Sequence, residues 1–234
     1  MSVYACSDLH GNLTLWNNIK AFLQPEDKLF YLGDATDRGP DGWQILKEML
    51  ADSRITYIAG NHDIMLADRI CNPNSYRVAS LHHMNGGQPT WEKAENDPDA
   101  ISIAWQIRKL PLSVVYENIN GFKVYMSHSG STSEDPQDLI WDRAEYMDTN
   151  KPLDYDVVVH GHTTIPHLIK DLSNMNHFLP EDRQRPVFEW EGGALWYTNW
   201  RCDIDCCTIA TGMTVLLNLD TFDEEIFQID QPSE

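Results

Sequence analysis

Val3-Tyr4-Ala5-Cys6-Ser7-Asp8-Leu9-His10-Gly11 opens the chain with a short run of buried-strand character, followed at once by an acid, an imidazole and a glycine. The pattern recurs four times. Leu29–Leu32 runs into Gly33-Asp34-Ala35-Thr36-Asp37-Arg38-Gly39, and Thr56–Ala59 into Gly60-Asn61-His62-Asp63. Lys123–Met126 runs into Ser127-His128-Ser129-Gly130, and Asp156–Val159 into His160-Gly161-His162-Thr163. Each run is rich in Val, Ile, Tyr, Phe or Leu, as buried strands are. Between the first three runs the apolar spacing turns helical. Leu15, Trp16, Ile19, Phe22 and Leu23 share one face, and Trp43, Ile45, Leu46, Met49 and Leu50 share another. Strand, helix, strand, helix, strand predicts an α/β architecture with parallel pairing at the start. In open α/β sheets, ligands gather just outside the carboxyl ends of strands. Five such ends are therefore expected to present Asp, Asn and His to one crevice.

Residues 72–100 carry Pro73, Asn74, Gly86, Gly87, Pro89 and Pro98, which predicts helices broken by turns. Asp171–Gly193 is polar and interrupted by Pro180 and Pro186, which predicts a long loop or irregular excursion. Leu195–Tyr197 and Thr214–Leu219 read as strands, with Phe227–Ile229 a weaker third. There is no internal repeat, low-complexity tract or evident linker, and 234 residues suit one domain spanning 1–234.

Composition narrows the function classes. Apolar residues make up 42% and charged residues 23%, ordinary for a globular protein. No apolar run approaches the roughly 20 residues that cross a bilayer, and the first residues lack the basic and apolar segments of a secretion signal. The expectation is a cytoplasmic protein with no membrane partner. The formal net charge of −19 repels polyanions, and no basic stripe is present to neutralise phosphates, so no nucleic-acid partner is expected. Five cysteines, an odd number, argue against a disulfide framework. The Cys202, Cys206 and Cys207 cluster lacks a second ligand pair at zinc spacing and reads as buried or incidental thiols.

The strand-end residues are of metal-binding type. Asp8 and His10 are two apart, so a locally extended segment would point both the same way. Imidazole suits Zn, Fe and Mn, whereas carboxylate and amide oxygens suit harder ions. A mixed set of Asp, Asn and His points to Mn, Fe or Zn. Singly, each motif has a blander reading: an Asp-x-His is commonly a surface pair, and a lone His128 a satisfied core histidine. Five in one chain carry the argument.

These motifs resemble those of the calcineurin-like metallophosphoesterases, and within them the phosphoprotein phosphatase family in its small bacterial and phage form. The quoted motifs run from Asp8 to Thr163, with weaker similarity to about Asp220. Asn85-Gly86-Gly87 and Trp141-Asp142-Arg143 also look like segments of the bacterial branch. The chain departs from the pattern at Asp63, where the family has Glu, and at His128-Ser129-Gly130, where it has His-Gly-Gly or His-Ala-Gly. The resemblance implies a layered sandwich of two mixed β-sheets flanked by α-helices. It implies that Asp8 and His10 hold a first divalent metal, that Asp34 bridges, and that Asn61, His128 and His162 hold a second, most naturally manganese. It makes Arg38, Asn61 and Arg143 the phosphate-binding residues and His62 the general acid, oriented by Asp37, whose carboxylate favours protonated imidazole. His160 receives no role.

The activity so implied is hydrolysis of phosphate monoesters by a water activated between two metals, on a phosphorylated protein or a small phosphomonoester. A symmetrical diadenosine tetraphosphate hydrolase shares fold and motifs and tolerates Asp63, although that branch tends to carry Asn where this chain has Asp37. A metal-binding scaffold without turnover is the non-enzymatic alternative.

Overall fold

Alternation along the first strand divides the molecule into its layers. Val3 and Ala5 face one apolar cluster, and Tyr4 and Cys6 face another, because successive side chains of a strand point to opposite faces. The computed structural model describes residues 1–143, 154–176 and 188–229. In chain order its strands are β1 (Val3–Cys6), β2 (Lys28–Tyr31), β3 (Ile55–Tyr57), β4 (Ser113–Glu117), β5 (Lys123–Ser127), β6 (Val157–His160), β7 (Leu195–Thr198), β8 (Arg201–Asp203), β9 (Met213–Asn218) and β10 (Glu224–Gln228). The helices are α1 (Leu13–Phe22), α2 (Gly42–Ala51), α3 (Asn61–Cys71), α4 (Tyr76–Met84), α5 (Gln88–Ala94), α6 (Ala100–Ile107), the short α7 (Asp138–Trp141), α8 (Ile165–Asn176) and the short α9 (Thr208–Thr211).

Two five-stranded sheets result, ordered β10-β9-β1-β2-β3 and β4-β5-β6-β8-β7. The centre of each is parallel, β1 with β2 and β2 with β3 in one, β5 with β6 and β6 with β8 in the other. The outer pairs are antiparallel. Both sheets are thus mixed, as the resemblance implied. Between them lies a core of Val3, Ala5, Leu32, Ile58, Val215 and Leu217 against Val124, Met126, Val157 and Val159. The outer face of the first sheet packs Cys6, Leu29, Tyr31 and Tyr57 against Leu15, Trp16 and Ile19 of α1, Ile45 and Met49 of α2, and Ile103 and Ile107 of α6.

Several expectations are corrected. Residues 171–176 belong to α8 rather than to a loop. Ile165, Leu168 and Leu172 recur at helical spacing and are buried in the same apolar cluster, so the exposed Lys170 and Asn174 mark the solvent face of one helix. Residues 177–187 of the expected excursion lie outside the described residues. Strand-like Ile58 and Ala59 fall beyond the ladder of β3, yet Ile58 N still donates to Tyr31 O at 2.8 Å. The strands β4 and β8 and the helices α3 and α6 had no counterpart in the sequence reading.

Candidate metal and phosphate site

The loops leaving β1, β2, β3, β5 and β6 converge at one edge of the sandwich. Their backbone is tightly wound rather than extended. Asp8, His10, Asp34, Asp37, Arg38 and His162 all have positive φ, between 44° and 70°. They are six of the eight non-glycine residues in that region of backbone space among the described residues. Such conformations cost on the order of 1–3 kcal/mol each and persist where the surroundings fix them. The expected extended Asp8–His10 segment is therefore replaced by a turn, zipped to the β2 loop by Asp8 N to Gly33 O at 3.1 Å and His10 N to Asp34 O at 3.0 Å. A side chain at Gly161 would collide with Asp8 Oδ2, so glycine is what lets the β6 loop close over the β1 loop.

Asp34 is central. Its Oδ1 accepts from His62 N at 3.0 Å, at the first turn of α3, where the helix N-terminus favours an anion. Its Oδ2 faces three imidazole Nε2 atoms: His128 at 3.3 Å, His10 at 3.8 Å and His62 at 3.9 Å. Burial opposes ionisation of Asp34, but His128, His62 and His10 outweigh it and hold the carboxyl well below its usual range.

The histidine tautomers follow from their second nitrogens. His10 Nδ1 lies 2.9 Å from Thr36 O and His128 Nδ1 lies 2.6 Å from Leu32 O. Carbonyls only accept, so both Nδ1 atoms carry hydrogen and both Nε2 atoms point inward. Burial pushes His10 down to about 3, and burial with the nearby His128 and Arg143 charges holds His162 well below its usual value. Both are thus neutral, the ligating form of imidazole. His162 Nε2 is buried with no hydrogen-bond partner among the described residues, which is the condition of a nitrogen meant for a cation. His128 behaves differently. Burial disfavours its charge, but Asp34 and Asp8 prevail and raise it to about 10.

Two groupings of ligand atoms, each within 4.8 Å, share Asp34: His10, Asp34 and His62, and Asp34, His128 and His162. Asn61 Oδ1 joins the second at 3.0 Å from His128 Nε2. Asp8 flanks both, its Oδ1 3.9 Å from His10 Nε2 and its Oδ2 accepting from His162 N at 3.2 Å. Burial, with Asp34 adding and His128 opposing, raises Asp8 to about 6. The neutral imidazoles, the orphaned His162 nitrogen and the shared carboxylate fit a pair of divalent ions.

Of the other expected residues, His62 Nδ1 meets Asp37 Oδ2 at 2.8 Å. Arg38 places one guanidinium nitrogen 2.8 Å from His10 Nε2 and the other 3.1 Å from His62 Nε2. Guanidinium only donates, so both imidazole nitrogens accept from it. Cation binding at His10 Nε2 and this Arg38 bond are mutually exclusive. Arg143 is exposed beside the site, its charge reaching His162.

Three site residues escaped the sequence reading. Asp63 figured only as a departure from a motif. It is fully buried and organises the β2 loop, accepting from Asp34 N and Gly60 N at 3.0 Å each, from Tyr57 Oη at 3.0 Å and from Thr36 Oγ1 at 3.3 Å. Asp205, just past β8, is buried beside Asp8; burial and that neighbour push its carboxyl well above the usual range. His82 on α4 contacts Asp37, and the adjoining Asn85-Gly86-Gly87 was its one available signal. The five cysteines are free, and Cys202 and Cys206 are buried thiols held well up by burial, as expected.

The profile of the calcineurin-like phosphoesterases matches residues 1–196, and the chain belongs to that family. The symmetrical bis(5'-nucleosyl)-tetraphosphatase of Proteus mirabilis is 30% identical over 148 residues, covering 62% of this chain and 48% of that protein. The corresponding protein of Pectobacterium atrosepticum is 29% identical over 142 residues, covering 57% and 45%. The chain thus spans about half the length of the curated relatives it matches. In fold it is similar to a metallophosphoesterase from Sphaerobacter thermophilus, with a TM-score of 0.61 at 15% identity over 99% of this chain and 89% of that one. It is also similar to a protein serine/threonine phosphatase from Saccharomyces cerevisiae, with a TM-score of 0.52 at 14% identity over 100% and 82%. Among the described residues no helix is long and apolar enough to cross a membrane.

Proposed function

We propose that this chain is a phosphomonoesterase acting on esters with strongly basic leaving groups, phosphoserine and phosphothreonine above all. Its metal ligands on this reading are Asp8, His10, Asp34, Asn61, His128 and His162, and manganese is the ion their mixed donors favour. The observation that carries the reading is the 2.8 Å contact of His62 Nδ1 with Asp37 Oδ2 in a cluster where two groupings of candidate ligand atoms share Asp34 and one of them includes His62 itself. An oriented imidazole is of use where the departing oxygen needs a proton.

Divalent ions, when bound, make water acidic enough to attack phosphorus at neutral pH and screen the phosphate charge. The chain's own residues do the rest. Arg38 and Arg143 offer guanidinium forks that match two phosphate oxygens. As Arg38 turns to phosphate it frees His62 Nε2 to carry a proton. Asp37 holds the opposite nitrogen and so fixes ring orientation. The bond between phosphorus and the ester oxygen breaks, His62 Nε2 gives its proton to that oxygen, and the attacking water loses a proton to solvent. The products are the free alcohol and inorganic phosphate.

A second reading, symmetrical cleavage of dinucleoside tetraphosphates, is favoured by the names of the curated relatives. Its leaving group is a nucleoside diphosphate, whose phosphate oxygen is far less basic than an alkoxide and needs little help from an acid. The chain, stripped and reloaded with manganese, is to be assayed on a phosphoserine peptide, p-nitrophenyl phosphate and diadenosine tetraphosphate. Turnover of the peptide above the dinucleotide is expected. The reverse order supports the second reading, and two bound metals with no turnover of any substrate indicate a scaffold.

A further inference from the structure

Behind Asp37 stands a second histidine that the mechanism above leaves unused. We propose that His82 is a positioning residue for the general acid, holding the Asp37 carboxylate in the one orientation that aims it at His62. The proposal rests on the reading of His62 as that acid.

The contacts form a continuous buried series across four segments. On α3, an Arg69 guanidinium nitrogen lies 3.3 Å from His82 Nδ1. On α4, His82 Nε2 lies 2.9 Å from Asp37 Oδ1. In the β2 loop, Asp37 Oδ2 lies 2.8 Å from His62 Nδ1. The Asp37 N–H donates to Thr90 Oγ1 on α5 at 2.8 Å. His82 and Asp37 are wholly buried, and Arg69 is nearly so, stacked 4.2 Å from the Trp91 ring.

The order of donors settles the hydrogen positions. Guanidinium has no acceptor, so Arg69 donates and His82 Nδ1 accepts. The His82 ring proton therefore sits on Nε2 and is given to Asp37 Oδ1. Each carboxylate oxygen then takes one imidazole N–H, which removes the freedom of the carboxylate to rotate away from His62. The two bonds also help hold Asp37 below its usual range against the opposing effect of burial.

Packing alone does not account for His82. A buried site flanked by α3, α4 and α5 is filled at less desolvation cost by Leu or Phe. A side chain at Gly87 would overlap the His82 ring, so the turn after α4 is shaped around this imidazole. Outer residues that orient a functional imidazole typically affect function by about 10- to 100-fold when removed, as known for metal-ligating histidines.

The test compares His82→Phe, which keeps a ring without donors, with His82→Gln, whose amide restores an N–H for Asp37. His62→Asn is the reference for loss of the acid. All are assayed with full metal content on a phosphoserine peptide and on p-nitrophenyl phosphate. His62→Asn is expected to slow the peptide on the order of 10²-fold more than the nitrophenyl ester. His82→Phe should show the same selective loss at about tenfold, and His82→Gln should recover most of it. Independently of turnover, imidazole ¹⁵N spectra of the zinc-loaded wild type should place the His82 proton on Nε2. The His62 Nδ1 proton, shifted downfield by Asp37, should move upfield in His82→Phe.

Selective loss in His62→Asn with equal slowing, or none, in His82→Phe overturns the positioning role and leaves the acid intact. Equal slowing of both substrates in His62→Asn overturns the acid, and the role of His82 with it. A His82 proton found on Nδ1 in the wild type overturns the proposal even where the Phe variant fails to fold.

Discussion

Asp34 gathers the site because one of its oxygens takes a backbone N–H from α3 while the other faces three imidazole nitrogens. The identities of these residues were legible in the sequence, since Asp, Asn and His recur after each strand-like run. Their backbone was not. Asp8 and His10 read as an extended pair, whereas both are left-handed, at φ 53° and 44°. Long-range bonds to Gly33 O and Asp34 O impose that conformation, and no local pattern encodes them. His82 was hidden for the same reason, its partner being 45 positions away. Two predictions belong to single residues. Arg143→Ala should weaken inhibition by inorganic phosphate by roughly tenfold or more, the loss of a charged bidentate contact, with metal content unchanged and Arg143→Lys recovering only part. Unaltered inhibition places Arg143 outside the phosphate site. Gly161→Ala should lower metal content measurably by elemental analysis, because the added methyl meets Asp8 Oδ2; wild-type occupancy in that variant contradicts the tight β6-to-β1 closure.

Elements were legible where the apolar period was clean and obscure where it was short or mixed. α1 and α2 follow the expected stripes. α6 buries Ala100, Ile103, Ala104 and Ile107 at regular helical spacing, but it is only eight residues long and begins where the Pro- and Gly-rich stretch 72–100 ends, so its short stripe went unread. β8 has three residues, all buried, with charged Arg201 and Asp203 at its ends, so it carries no apolar signature although β6 pairs with it. Asp97 ties two elements together beyond the site. Its carboxylate accepts from Trp43 Nε1 at 2.8 Å and Lys47 Nζ at 2.7 Å on α2, and from Asp99 N at 2.9 Å before α6. The bonds from Lys47 and Trp43 lower it to about 2. A carboxyl depressed on folding contributes stability above its unfolded value, and loses it as pH falls through the folded one. Asp97→Asn should therefore melt a few degrees lower than wild type at pH 6 and converge with it by about pH 2. A difference independent of pH assigns the effect to packing rather than charge.

At the scale of the molecule, the site is a joint between two sheets. Asp8, Asp34 and Asn61 come from the first sheet's strand ends, and His128 and His162 from the second. The convergence of five strand ends was legible, but the division into two sheets came from the family resemblance, since β4 and β8 were unread. On the proposed ligand set, with residues from both sheets, cation binding would cross-link the sandwich. At a free concentration about 100 times the dissociation constant, binding adds about 2.7 kcal/mol, roughly 5–10 °C for a chain of this size. Chelation should lower the melting temperature by that amount, and a melt indifferent to chelator contradicts the joint. The central proposal, that Asp34 is shared by two divalent ions, is tested most directly by elemental analysis. Wild-type protein reloaded with manganese and freed of excess should hold two ions per chain, and Asp34→Asn should hold fewer and lose nearly all turnover. Two ions per chain in an active Asp34→Asn variant would contradict it.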